Sequence, residues 1–195
     1  MKRDIIVAGF GGQGVLLIGK IIAYAAILDG KEATWISSYG VEMRGGTANC
    51  SVVISDTTIG SPFVTEPTAG IMLNAPSLDK FELLFLSGAR IILNSSLIER
   101  HSCRPDIQAY PIPCSDIAVD LGYPKGANLV ALGGLLAATG AVSRGAVSGA
   151  LKQFFEGKSV PVSSTEQLIQ RGFDCVTSTT KFKFFQDVMS GLYRK

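Results

Sequence analysis

The chain has 195 residues, 47% of them hydrophobic, with a formal net charge of +2 and a mean hydropathy of +0.31. That length suits one domain, residues 1–195, with ample core. The near-neutral charge leaves no electrostatic footprint for nucleic acid, and the apolar content points to surface covered by a partner.

Residues 4–8 (DIIVA) read as a first strand, and an apolar helix pattern runs from near Gly12 to Leu28. Lys2 and Arg3 lead into Asp4 and a glycine cluster, not into the apolar run of a secretory signal. The stretch 15–28 is interrupted by Gly19 and Lys20 and is short for a membrane span. The chain therefore reads as a soluble, cytoplasmic protein.

Between strand and helix lies GFGGQG, residues 9–14, with Gly9, Gly11 and Gly14 at the spacing G-x-G-x-x-G. In that pattern the first glycine permits a sharp turn, the second a close backbone approach to a ligand, and the third tight helix–strand packing. The helix N-terminus offers free N–H groups and a positive dipole end to a phosphate. The alternative is that these glycines only make a tight βα turn.

The second strand is expected at 33–37 and ends in Ser37, Ser38 and Tyr39, with no carboxylate. A dinucleotide fold needs an acid about 20 residues after the glycines to hold ribose hydroxyls. Asp29 and Glu32 precede the strand, so NAD loses its second anchor.

The segment 38–46 (SYGVEMRGG) reads as a loop at the sheet end where open α/β folds bind ligands. Arg44 carries a planar fork suited to phosphate or carboxylate, and Glu42 either orients it or simply pairs with it to fix the loop. Tyr39 could stack on a base or plug a subunit interface; the interface is favoured.

Residues 47–54 read as a strand, with 58–64 as its hairpin partner, which would make the sheet mixed. Cys50 falls in this strand pattern as a small core residue. Strands follow at 70–74 and 89–94, with a helix from Pro76 to Phe85 between them. Asn74 and Asn94 both end strands and are expected to face one crevice.

A short strand at 107–110 meets a turn at Pro111 and Pro113, and Ser115 and Asp116 can cap a helix to Leu121. Residues 128–139 are apolar nearly all round, as in a buried helix. Gly133 and Gly134 would let a second backbone approach it, and Asn128 is expected to cap it. Helices are expected at 144–155, 163–171 and 179–193.

Cys50, Cys103, Cys114 and Cys175 form no C-x-x-C pair, so zinc, iron–sulfur and disulfide frameworks are not indicated. His101, the one histidine, lies in a polar loop and reads as a surface residue. No nucleophile elbow, zinc helix or complete P-loop is present.

The glycine turn at 9–14, followed by YGVEMRGG at 39–46, resembles the gamma subunit of the 2-oxoacid:ferredoxin (acceptor) oxidoreductases, and most of all the 2-oxoglutarate branch. The resemblance continues in order through 47–54, 76–81, 94–96 and 127–133; Val41 stands where many relatives carry proline.

It implies a three-layer α/β/α fold with a mixed, mostly parallel sheet. It also implies a complex that converts a 2-oxoacid and coenzyme A to acyl-CoA and carbon dioxide. Thiamine diphosphate, magnesium and iron–sulfur clusters would sit in alpha, beta and delta-type partner subunits, with ferredoxin or flavodoxin as acceptor. This chain would contribute assembly and part of the coenzyme A site, through Gly9, Gly11, Gly12, Gln13, Gly14, Tyr39, Glu42, Arg44, Gly45 and Gly46. No nucleic acid or membrane is implied, and no activity is expected of the chain alone. The rival readings are a free-standing Rossmann-like nucleotide-binding protein or NAD-dependent oxidoreductase, and the small subunit of an indolepyruvate oxidoreductase.

Overall fold

A computed structural model describes residues 1–39, 47–158 and 160–192, with the backbone alone for Tyr39 and residues 179–192. Strand β1 is Lys2–Phe10, α1 Val15–Leu28, β2 Glu32–Tyr39, β3 Thr47–Ser55, β4 Ala69–Met72 and α2 Ala75–Phe81. Strand β5 is Arg90–Asn94, β6 Gln108–Ile112, α3 Cys114–Asp120, α4 Ala127–Thr139, α5 Arg144–Phe155 and α6 Val162–Leu192.

The sheet runs in the order β2-β3-β1-β4-β5-β6. Strand β3 is antiparallel to both neighbours, and β1, β4, β5 and β6 are mutually parallel. The mixed, mostly parallel sheet is thus present, but its antiparallel member arises differently from the expectation. Residues 58–64 form no strand. Gly60 and Pro62 spoil a ladder there, and the Ile59 amide donates to Glu32 Oε2 at 3.1 Å instead. Strand β3 inserts between β2 and β1, burying its even-numbered side chains Cys50, Val52 and Ile54 completely.

Alternation along the strands separates two cores. On one face Ile5, Val7, Ile71 and Ile92 pack beneath α1, α3 and α4, with α5 and α6 outside them; on the other, Ile6, Ala8, Met72 and Ile91 pack under α2 and the 98–107 connection. Helix α4 is buried from Asn128 to Thr139 save for Ala137, as its all-round apolarity requires.

Gly133 does admit a backbone: a Cβ there would overlap the Ile169 carbonyl of α6, and one on Gly172 would overlap the Val130 carbonyl of α4. Gly134 instead faces a side chain, Ile112 Cδ1, 2.5 Å from its virtual Cβ.

Other boundaries shift for local reasons. Helix α1 starts at Val15 because Gly12 and Gly14 have φ of 92° and 73°. Helix α2 ends at Phe81 and passes into a 3-10 turn over Glu82–Leu84. Strand β6 continues through Pro111, which an edge strand tolerates because one side of its ladder is unpaired. Ser115 and Asp116 lie inside α3 and do not cap it. The two helices expected at the C-terminus are one, α6, since Gly172 at the α4 contact is a packing site and not a break. No helix among the described residues is long and apolar enough to cross a membrane.

Candidate functional site

In open α/β sheets, crevices form where consecutive connections leave the strand ends on opposite faces. Here α1, after β1, packs on one face with Ile18 and Ile21, while α2, after the adjacent β4, packs on the other with Leu78 and Phe81. The glycine turn therefore lies at a topological switch point. A second one lies between β5, whose connection buries Ile98 on the α2 face, and β6, whose α3 packs on the α1 face.

Each residue of the turn has its own physical reason. A Cβ on Gly9 would stand 2.7 Å from Gln13 Oε1 and 3.0 Å from Leu73 Cβ. The Gln13 side chain folds back, accepting from the Phe10 amide at 2.6 Å and from Asn74 Nδ2 at 3.2 Å. Gln13 is thus a brace across the crevice. Gly14 combines a positive φ with contact against Asn128, whose Nδ2 donates to the Gly14 carbonyl at 3.4 Å. Gly11 and Gly12 differ: a Cβ on either would meet nothing within 4 Å. Helix α1 has no side-chain cap among the described residues, which leaves its first amides without that partner.

Two hollows flank Gly12. A notch of about 170 Å³ is lined by Gln13, Leu73, Asn94, Ser115 and Lys125. A cleft of about 480 Å³ opens on the other side, walled by Leu17, Tyr123, Leu129, Phe155 and Leu168. Gly12, Pro124 and Lys125 belong to both.

Asn94 faces the notch as expected, donating to Ser115 Oγ at 3.0 Å. Asn74 does not line it, because its Oδ1 caps α2 by accepting from the Ser77 amide at 2.9 Å. Asn128 is not the cap of α4; that position is Gly126. Its Oδ1 accepts from Leu129 N at 2.9 Å while its amide ties α4 to the turn.

Lys125 and Ser115 are the site residues that spacing did not single out. Nothing in the sequence ties them to residues 9–14; the one available signal is that PKG at 124–126 precedes an apolar helix.

The second loop is located by its ends. Tyr39 pairs with Ala48, and Ala48 with Gly9; Thr47 pairs with Phe10. Both ends therefore stand level with the glycine turn, Tyr39 two strands and about 10 Å away. Glu42, Arg44, Gly45 and Gly46 lie outside the described residues, as does the side chain of Tyr39.

The neighbours of β1 at this end are Thr47, which opens β3, and Leu73–Asn74, which follow β4. Neither brings a carboxylate, so none of the described residues at these two positions supplies the ribose anchor of a dinucleotide site.

Away from the crevice, Cys50 is a core residue, its thiol pushed up to about 12 by burial. His101 is exposed. Glu82 is buried yet ionised. Burial would raise its carboxyl, but hydrogen bonds from Ser102, Arg100 and Cys103 outweigh that and hold it down at about 2. Arg100 Nη2 lies 2.9 Å and the Cys103 amide 2.8 Å from it, pinning the 98–107 connection to α2.

A carboxylate depressed in the folded state stabilises fully above its unfolded value near 4.5 and loses that contribution as pH falls towards 2. Glu82→Gln is therefore expected to cost about 2 kcal/mol at pH 7. The gap to wild type should narrow between pH 4.5 and 2, read as urea midpoints; a gap independent of pH would contradict the assignment.

Residues 4–175 match the model of the family described as pyruvate ferredoxin/flavodoxin oxidoreductase. The chain is 34% identical to the ketoisovalerate oxidoreductase subunit VorA of Methanothermobacter marburgensis, over 91% of this chain and 37% of that protein. It thus spans little more than a third of that relative. It is 35% identical to the 2-oxoglutarate synthase subunit KorC of Methanocaldococcus jannaschii, over 86% of this chain and 88% of that one. The crystal structure of the keto/oxoacid ferredoxin oxidoreductase gamma subunit from Geobacter sulfurreducens superposes with a TM-score of 0.77 at 31% identity, covering 90% of this chain and 99% of that one. With its α/β fold and most of its length matched, the chain belongs to the pyruvate ferredoxin/flavodoxin oxidoreductase family.

Proposed function

We propose that the chain is the gamma subunit, a single domain, of a cytoplasmic multi-subunit 2-oxoacid:ferredoxin oxidoreductase, with 2-oxoglutarate as substrate. The complex would convert 2-oxoglutarate and coenzyme A to succinyl-CoA and carbon dioxide, passing two electrons to ferredoxin or flavodoxin. Near full-length similarity in both directions to a subunit named for 2-oxoglutarate supports that choice.

The chain contributes a wall of the coenzyme A site and an assembly surface. Leu83, Leu84 and Leu86, exposed by 72%, 46% and 45%, suit the latter. In this reading thiamine diphosphate, magnesium and the iron–sulfur clusters belong to the alpha, beta and delta-type partners.

Gly11 carries the coenzyme A reading. It has no positive φ and no neighbour where a Cβ would stand, so nothing among the described residues calls for glycine. A phosphate lying against the uncapped α1 terminus does call for it, because a methyl group would hold the phosphate away from the amides.

Gly11→Ala is expected to leave stability within about 0.5 kcal/mol of wild type and to raise KM for coenzyme A at least about tenfold in the reconstituted complex. An unchanged KM would remove the turn from the coenzyme A site. Assays of the same complex with 2-oxoglutarate, branched 2-oxoacids and indolepyruvate test the substrate. Anaerobic affinity purification from native cells tests the assembly.

A further inference from the structure

A cavity of about 530 Å³ between α4, α5 and α6 shares no lining residue with the two hollows beside Gly12, and its size is that of a small-molecule site. It exists because the two outer helices rest on different inner ones. Helix α5 sits on α1, where Phe154 meets Tyr24 edge-on at 5.9 Å and a Cβ on Gly149 would stand 2.9 Å from Leu28 Cδ1. Helix α6 sits on α4 through Gly133 and Gly172. The floor of the gap between them is apolar and buried, formed by Leu136, Val147, Leu151 and Ile169. The mouth is polar. Arg144 of α5 donates to Gln170 Oε1 of α6, and the Ser148 hydroxyl donates to Glu166 Oε1.

Arg144 and Glu166 are the two charged residues of this mouth, and they do not pair with each other. Among the described residues neither makes an ion pair elsewhere. The Arg144 guanidinium instead lies 5.0 Å from the Phe173 ring centre. Because its partner Gln170 is one helical turn beyond Glu166, the two charges stand roughly 6 Å apart along the groove. Arg144 is also ill placed for its own helix. It is the first residue of α5, whose first turn holds no acidic side chain, so it meets the positive end of the helix dipole.

We infer that this cavity binds an α-amino acid with an apolar side chain, a site separate from the coenzyme A reading and independent of it. The carboxylate takes the Arg144 fork, where it also relieves the dipole at the start of α5. The ammonium takes Glu166, and the side chain enters the floor of Leu136, Val147, Leu151 and Ile169. A zwitterion answers both unpaired charges; an apolar acid or an apolar amine answers only one. A helix of a partner protein, about 10 Å across, would have to break both polar bridges over the groove, whereas an amino acid exchanges them for its own contacts.

The test is calorimetric titration of the full chain with L-leucine, with isocaproate, which lacks the ammonium, and with isoamylamine, which lacks the carboxylate. Leucine is expected to bind at least about tenfold more tightly than either. Arg144→Gln and Glu166→Gln, both at exposed positions, should each weaken leucine at least about tenfold. In Glu166→Gln the advantage of leucine over isocaproate should vanish, and in Arg144→Gln its advantage over isoamylamine. Val147→Phe fills the floor and should abolish binding; if that variant fails to fold, the two surface variants decide. No binding of leucine at about 10 mM, isocaproate or isoamylamine binding as tightly as leucine, or wild-type affinity in either charge variant each overturns the inference.

Discussion

Gly133→Ala and Gly172→Ala are each expected to destabilise the protein by about 3 kcal/mol, at the upper end of the range for overpacking a core. That corresponds to a fall in Tm of about 10 °C for a chain of this size. Neither glycine has a positive φ, so the cost is steric. Each virtual Cβ overlaps a main-chain carbonyl of the facing helix, Ile169 in one direction and Val130 in the other, and a backbone cannot rotate aside as a side chain can.

The two glycines face one another across a single α4–α6 contact. The double variant should therefore cost less than the sum of the singles, since the first alanine already forces the helices apart. Gly145→Ala, at an exposed site in α5 with nothing within 4 Å of its Cβ, is the control and should be neutral or slightly stabilising. Thermal melts of the four variants decide the matter; a Gly133→Ala protein that melts with wild type would mean that the two helices do not meet at this distance.

Gly14→Ala is the second large effect and joins stability to the site. An L-residue at φ 73° costs about 1–2 kcal/mol from backbone sterics. The new methyl would also displace Asn128, which is 5% exposed and donates to the Gly14 carbonyl. Stranding that buried amide adds about 1–2 kcal/mol, for about 3 kcal/mol in total.

A double-mutant cycle separates the two contributions. In an Asn128→Ala background Gly14→Ala should cost about 1–2 kcal/mol, the backbone part alone. If the cost is the same in both backgrounds, Asn128 does not pack against the turn. Because the start of α1 shifts with Gly14, coenzyme A KM should rise in Gly14→Ala as in Gly11→Ala, but here with a loss of stability that Gly11→Ala lacks.

The contrast between the four turn glycines shows how far sequence reasoning reaches. The spacing of Gly9, Gly11 and Gly14 identified the turn but assigned their roles from a dinucleotide pattern. In the structure Gly9 makes room for the Gln13 brace, Gly14 makes room for Asn128, and Gly11 and Gly12 face open space. Gln13, expected among the coenzyme A site residues, commits its side chain to Phe10 and Asn74. Asn74 and Asn94 look alike as strand-end asparagines; one is consumed as a helix cap and the other faces the notch. Asn74 directly precedes a helix that its Oδ1 caps, whereas Asn94 bonds Ser115, more than twenty residues on in α3, and apolar periodicity carries neither partner choice.

The six strands, though not the failure of 58–64 to add another, the buried character of α4, the glycine turn and the absence of a strand-end carboxylate follow from the sequence itself, because each rests on local chemistry within a few residues. The insertion of β3 between β2 and β1, the single α6, the α4–α6 contact through Gly133 and Gly172, and the arrival of Ser115 and Lys125 beside Gly12 were decided only by the tertiary structure. These are pairings between segments far apart in the chain. They are selected by which apolar faces can be buried together and which backbones can touch, and no spacing along one segment encodes that choice.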